Sequence, residues 1–263
     1  MSYSILMIFV FLFGLVIGSF LNVCIYRIPL KKSIVNPPSG CPGCGNRISI
    51  YDNIPIASYI ILRGRCRHCH QPISMLYPFI ELMTGLLSVA VFVNCYPDYG
   101  QYVALFLFVS ALIVISFIDL SHQIIPDVIS IPGIIAGLLA AIILNISSRY
   151  MIAWYDSILG IIIGGGILYA VAVGYKMLTG KDGMGFGDVK LLAMIGAWMG
   201  WRAIPFIILI SSLTGSIIGA ATLSLSGKGL RTRIPFGPFL VLGALIYLFF
   251  GDRIVSFYFS LFM

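Results

Sequence analysis

Eight long apolar stretches divide this chain, and a stretch of that kind has few ways to fold. They run over 5–26, 78–95, 101–118, 128–147, 154–175, 188–201, 203–224 and 237–251. A hydrocarbon solvent cannot satisfy backbone N–H and C=O groups, so a segment buried in it must bond to itself as a helix or close into a barrel. About 20 apolar residues cross a bilayer as a helix, and most of these stretches are near that length. The expected fold is an all-α polytopic membrane protein of about eight transmembrane helices. The sixth stretch is short enough to be tilted or partly buried. A last stretch, 254–263, is too short to cross alone and is expected to extend the eighth helix or lie at the interface. Only 10% of residues are charged, against ~25% in soluble domains. Together with a mean hydropathy of +1.05, this excludes a soluble globular enzyme, a disordered chain and a nucleic-acid-binding module. Gly164, Gly165, Gly166, Gly196, Gly215 and Gly219 are read as helix-packing residues, since small side chains let helices approach closely in lipid.

The net charge of +7 is first a topology signal. Arg27, Lys31, Lys32, Arg47, Arg63, Arg65 and Arg67 lie in one polar loop, 27–76. Lys176, Lys181 and Lys190 surround a second loop, and Lys228, Arg231 and Arg233 lie in a third. With eight spans these thirteen cations share one face, and only Arg149, Arg202 and Arg253 fall on the other. The positive-inside rule makes the basic face cytoplasmic, with both termini outward. The first segment has its basic flank after it rather than before it, so it is expected to stay attached rather than be cleaved as a signal peptide.

The loop 27–76 is the sizeable polar stretch of the chain. It carries Cys41-Pro-Gly-Cys44 and Cys66-Arg-His-Cys69. Two C-x2-C pairs at this separation form two tight knuckles that present four thiolates tetrahedrally, which is the chemistry of structural Zn²⁺. Two disulfides are the alternative, disfavoured in a reducing cytoplasm. Zinc supplies folding energy to a loop too small for a core of its own. His68 and His70 are substitute ligands of lower standing, and Cys24 and Cys95 are read as packing residues.

Nine acids occur, and a single one is Glu. Asp52 and Asp98 fall in loops, Asp156 and Asp252 at outer helix ends, and Asp182 in a basic loop. Glu81, Asp119, Asp127 and Asp188 remain. Asp119 ends the third apolar segment and Asp188 follows Gly185-Phe-Gly187 at the start of the sixth. Both lie at the cytoplasmic ends of their helices by the charge count. Acids inside membrane segments are costly and mark function by default, and glycines at 185 and 187 are expected to clear room for a peptide backbone. Two close carboxylates share a proton, the arrangement of aspartic proteolysis. The bland alternatives are that Asp119 or Asp188 caps a helix or pairs with Lys190. Asp188 and Asp127 both suit N-cap positions. His122 is read as an interfacial polar residue in preference to a base. Glu81, at the cytoplasmic start of the second helix, suits either a cationic ligand or the positive end of the helix dipole.

The ordered set resembles bacterial type IV prepilin peptidases, the Gly-x-Gly-Asp membrane aspartic proteases. Asp119-Leu-Ser-His-Gln-Ile-Ile-Pro-Asp127 and Gly183-Met-Gly-Phe-Gly-Asp-Val-Lys190 look like that family's two signatures. Gly18 to Pro29, the double C-x2-C loop, Tyr77 to Gly85 and Ile234-Pro-Phe-Gly-Pro238 match further family segments. The resemblance spans nearly the whole chain. It implies a bacterial inner-membrane enzyme that cleaves the leader of type IV prepilins or type II secretion pseudopilins after Gly. Such an enzyme then methylates the new N-terminus with S-adenosylmethionine. It implies Asp119 and Asp188 as the catalytic acids, supported by Gly185, Gly187 and Asp127. It links Gly64 and Arg65 to methyl transfer, to which the chemistry of Glu81 adds a third residue. Residues 1–100 are then the methyl-transfer part and 101–263 the peptidase part. No Gly-x-Gly-x-x-Gly after a strand gives an independent cofactor signal. Competing readings are a peptidase alone, a proton-coupled transporter using the same aspartates, and a membrane scaffold with a zinc loop.

Overall fold

The computed structural model describes residues 3–143, 152–180, 185–226 and 235–260. The helices are α1 (Tyr3–Arg27), α2 (Ala57–Ile61), α3 (Leu76–Cys95), α4 (Tyr99–His122), α5 (Asp127–Ile143), α6 (Trp154–Thr179), α7 (Phe186–Met199), α8 (Ala203–Ser226) and α9 (Gly237–Ser260), with a 3-10 turn at Ile50–Asn53. Among the described residues extended pairing is limited to two isolated bridges, Gly40 with Arg47 and Arg65 with Pro72. The all-α expectation therefore holds.

The count of eight crossings is not established. Among the described residues five helices are long and apolar enough to span a bilayer: Tyr3–Arg27, Leu76–Cys95, Tyr99–His122, Trp154–Thr179 and Ala203–Ala221. Asp127–Ile143 and Gly237–Gly251 are shorter apolar helices. The sixth stretch forms α7, whose 14 residues extend ~21 Å at 1.5 Å each, short of a ~30 Å hydrocarbon core. Residues Leu191 to Met199 are all buried within the protein. A helix apolar on every side belongs in an interior, and α7 packs against α5, α6, α8 and α9. The last apolar stretch continues α9 as far as Ser260. The end of the fourth stretch past 143, the tail 261–263, Asp182, Gly183 and Met184 lie outside the described residues, as do Arg149, Lys181, Lys228, Arg231 and Arg233.

The chain forms two compact units, Met1–Val114 and Ile115–Met263, with the boundary inside α4. In the first unit α1 lies along α3. Their seam carries polar groups that are all paired: the Ser88 hydroxyl donates to the Val10 carbonyl at 3.0 Å and Asn22 Nδ2 to the Tyr77 carbonyl at 3.2 Å. Asp98 caps α4, its carboxylate accepting the Gln101 N–H at 3.0 Å, so this acid is a helix-start residue rather than a bystander.

In the second unit α6 and α7 cross with their backbones in contact. A Cβ on Gly160 would strike the Gly196 carbonyl, and one on Gly196 the Gly160 carbonyl. The Ser157 hydroxyl donates to the Ala197 carbonyl at 2.7 Å one turn away. Trp198 Nε1 donates to the Gly133 carbonyl at 2.8 Å and ties α5 to α7. Asp156, expected simply to be solvated, accepts Trp201 Nε1 at 3.0 Å. Gly196→Leu is expected to force α6 from α7 and cost about 1–3 kcal/mol, the usual scale of overpacking. The thermal midpoint of the detergent-solubilised protein reads this, and an unchanged midpoint would mean the crossing does not hold the unit.

Candidate active site and metal centre

Three sequence-distant segments of the second unit meet around one side chain, Ile125. A Cβ added to Gly187 would lie 2.9 Å from Ile125 Cβ, and one added to Gly237 would lie 3.4 Å from Ile125 Cδ1. Asp119 closes the ring: it is 5% exposed, and its Oδ2 accepts the Gly237 N–H at 3.0 Å. Asp188 follows Gly187 in the first turn of α7 and is near enough to Asp119 for the two charges to interact. The two acids singled out in the sequence thus both border the cluster around Ile125, Asp119 through Gly237 and Asp188 through the adjacent Gly187, although 69 positions separate their numbers. Like charges that interact resist double ionisation.

The bland readings hold in part: Asp119 does meet a helix start, accepting the N–H of Gly237, the first residue of α9, but neither reading describes Asp188. The N-cap of α7 is Gly185, without a side-chain cap bond, so Asp188 is not an N-cap. Lys190 pairs with Asp127 at 2.7 Å, not with Asp188. Asp127 is the first residue of α5, and this half-exposed ion pair joins the starts of α5 and α7. The two glycines of the motif differ: the room beside Gly187 is filled by Ile125, while a Cβ on Gly185 would meet little. Only the latter leaves space of the kind expected for a substrate backbone. His122 ends α4, exposed. Ile125 and the Gly237 amide were not singled out by their residue types, and Lys190 was expected to pair with a different acid. Only the Pro-Phe-Gly-Pro segment, where proline spacing leaves few N–H donors, hinted at the Gly237 amide.

In the first unit, Cys41, Cys44, Cys66 and Cys69 bring their sulfurs within 4.8 Å of one another, and Cys41 and Cys69 are 3.7 Å apart. Tetrahedral zinc with ~2.3 Å Zn–S bonds needs sulfurs about 3.8 Å apart. Disulfide sulfurs would sit near 2.0 Å, and all six cysteines are free. The donor set therefore suits zinc. The two knuckles share one build. Cys41 N–H donates to the Asn46 carbonyl at 2.9 Å, and Cys66 N–H to the Gln71 carbonyl at 2.9 Å. The left-handed turn residue is Gly45 in the first and His70 in the second, with φ of 72° and 56°. His70 thus serves the turn, and the four-cysteine set needs neither histidine.

The knuckle amides prepare the thiolates. N–H groups of Cys44 and Gly43 hold the Cys41 thiol down to about 6, and those of Cys69 and His68 lower Cys66. Cys69, despite the Gln71 N–H that favours its thiolate, is pushed up to about 11 by burial and the neighbouring thiols. Asp52 also has a role that its loop position concealed. It receives both arms of Arg67, at 2.9 and 2.6 Å, and the guanidinium lies 5.4 Å from the Tyr51 ring centre. This fork holds the Asp52 carboxyl below, and Arg67 above, their ordinary values.

Gly64 sits at φ 67°, where a Cβ would lie 2.8 Å from the Tyr59 hydroxyl. Its N–H donates to the Tyr59 carbonyl at 2.8 Å, and Arg65 begins the second knuckle through its bridge to Pro72. Glu81 lies in the second turn of α3, beyond the dipole position suggested by a start at 78. Its Oε2 accepts the Ile56 N–H at 2.8 Å, which fixes the start of α2. Glu81 is buried at 8% exposure, and no ion pair joins it to a described cation.

Comparison with known proteins accounts for this combination. Residues 12–95 match the bacterial peptidase A24 N-terminal domain, and residues 106–220 match the type IV leader peptidase family. A prepilin leader peptidase/N-methyltransferase of Aeromonas hydrophila is 40% identical, across 97% of this chain and 94% of its own. The chain belongs to the prepilin leader peptidase/N-methyltransferase family. Its relative of the same name in Pseudomonas aeruginosa is 38% identical over 94% of this chain and 91% of its own, and that in Pseudomonas putida is 35% identical over 92% and 90%. No solved structure matches the chain.

For this family member, one zinc per chain is expected on elemental analysis, by the four-thiolate stoichiometry. Cys41→Ser and Cys66→Ser are each expected to lose it and lower the thermal midpoint, because metal binding and loop folding are coupled. Zinc affinity is expected to fall as pH falls through neutrality, since each ligand must shed its proton and Cys69 holds its own most strongly. Titration with a competing chelator at several pH values measures this.

Proposed function

We propose that this chain removes the leader peptide from type IV prepilins and N-methylates the new N-terminus, with Asp119 and Asp188 as the peptidase pair. The observation that supports the reading is that these two acids border one cluster around Ile125, Asp119 through Gly237 and Asp188 through Gly187, in a chain of this family. The ionised carboxylate takes a proton from water as the water oxygen attacks the scissile carbonyl carbon. The protonated carboxylate gives its proton to the carbonyl oxygen. Collapse of the resulting diol breaks the C–N bond and returns a proton to the leaving nitrogen. Gly187 supports the pair by letting α7 start close to Ile125, Gly185 by leaving room for a substrate backbone, and Asp127 supports it through Lys190. Cleavage after Gly, and pseudopilins as further substrates, belong to the same proposal.

We assign methyl transfer to residues 1–100 and peptidase chemistry to 101–263. Zinc on Cys41, Cys44, Cys66 and Cys69 is structural, since four thiolates leave no open position. S-Adenosylmethionine, when bound, supplies an electrophilic methyl group to the product amine. It also brings cationic groups, which suit a buried carboxylate without a cation partner such as Glu81. Gly64 and Arg65 hold the second knuckle beside α2, the segment Glu81 anchors. The protein is a multi-pass inner-membrane protein. The thirteen-to-three division of Lys and Arg supports a cytoplasmic zinc loop with both termini outward. A proton-coupled transporter gains nothing from a zinc loop and has no observation in its favour.

Asp119→Ala and Asp188→Ala are each expected to lower leader cleavage by about 10³-fold or more. They are expected to leave methylation of a pre-cleaved pilin intact, followed as a mass gain of about 14 Da, one methyl replacing one hydrogen. Glu81→Gln, Gly64→Ala and Arg65→Ala are expected to give cleaved but unmethylated product. Normal cleavage by both aspartate variants would remove the peptidase assignment.

A further inference from the structure

From the contact between the start of α9 and Asp119, we propose that the Gly237 backbone amide is a positioning group of the peptidase site: it holds Asp119 Oδ2 and leaves Oδ1 as the oxygen that meets the water. This rests on the reading of Asp119 and Asp188 as the peptidase pair and goes beyond it, because no side chain of the third segment is asked to react.

The Gly237 N–H donates to Oδ2 at 3.0 Å, in a buried contact between residues 118 positions apart. An N–H can only donate, so Oδ2 acts as an acceptor there, which favours the unprotonated form of that oxygen. Gly237 is the first residue of α9, where N–H groups have no intrahelical partner and seek an external one. The local sequence narrows the supply of such donors. Pro235 and Pro238 have no N–H, and the Phe239 and Leu240 amides are both spent on the Phe236 carbonyl, at 3.1 and 3.2 Å. The amide of Gly237 is therefore the helix-start donor directed at Asp119.

Glycine is required here by space as well. A Cβ at 237 would lie 2.6 Å from Asp119 Oδ2 and 3.2 Å from its Cγ, so any larger residue must push the carboxylate aside. On the other flank, Ile125 fills the room between Gly237 and Gly187 and prevents an easy retreat. The three motifs thus act as one device: α4 carries the acid, α9 orients it, and Ile125 sets its spacing from the segment that carries Asp188.

The test uses the full chain in detergent with phospholipid and a purified prepilin. Gly237→Ala keeps the N–H but its Cβ pushes Asp119 Oδ2 off it, and is expected to lower kcat for leader removal about 100-fold, the scale of losing one preorganised contact. KM should stay within about twofold, the signature of a lost transition-state contact, with methylation of pre-cleaved pilin unchanged. Gly243→Ala is the control: it lies six residues further along the same helix and crowds the Ile207 carbonyl at 3.0 Å, with Ile207 and Ser211, and neither acid, nearest the added Cβ, and should leave kcat unaltered. Wild-type kcat in Gly237→Ala overturns the proposal.

Should Gly237→Ala fail to fold, hydrogen exchange of the 236–240 segment decides instead. Asp119→Asn keeps a carbonyl acceptor and should leave the Gly237 amide protected, whereas Asp119→Ala should speed its exchange at least ~10-fold, as expected for an amide that has lost its only partner. Equal protection in the two variants overturns the proposal. If instead Asp119→Asn and Asp188→Asn still cleave, the peptidase assignment itself has failed, whatever Gly237 does.

Discussion

A carboxylate enclosed by apolar helices must be held by something, and the second unit is arranged around that constraint. Asp119 has lost nearly all its solvent, and burying such a group without partners is costly. The partner it finds is a backbone amide at a helix start, a group already in need of an acceptor. Each therefore solves the other's problem. The solution also draws α9 against the end of α4 and fixes the orientation of the acid.

The same economy governs the rest of the second unit. Helix α7 is short and buried from Leu191 to Met199, so its start can be placed without a long span dictating its depth. Contact between Gly160 and Gly196 lets α6 approach it backbone to backbone, and Trp198 draws in α5. Small residues at one end of α7 and Ile125 at the other set where Asp188 emerges. Packing that would otherwise be generic thereby determines the geometry of two acids.

The first unit meets its constraint differently. A polar loop of this size buries too little apolar surface to fold by that means alone. Two equivalent knuckles converge on one metal position, and the Asp52–Arg67 fork secures the second knuckle to the preceding turn. Glu81 extends the order inward by holding the Ile56 amide from a neighbouring helix. The residues we propose for methyl transfer are therefore also residues that shape the loop.

Local pattern determined much of this. Apolar runs fix helices because lipid leaves the backbone no alternative, and paired cysteines at knuckle spacing fix a metal site because thiolates and a tetrahedron allow little else. Scarcity made Asp119 and Asp188 conspicuous among nine acids. Hydropathy did not determine how many segments cross, because a run of apolar residues reads alike whether it faces lipid or protein, as α7 demonstrates. Nor did it reveal that Ile125 occupies the space beside Gly187, that Lys190 takes Asp127, or that Gly237 addresses Asp119. Those facts are contacts between segments far apart in the chain, and the decisive one is made by a backbone amide, a group every non-proline residue carries and no residue type advertises. Tertiary packing alone selects which amide meets which acid, because the selection is made by distance in space.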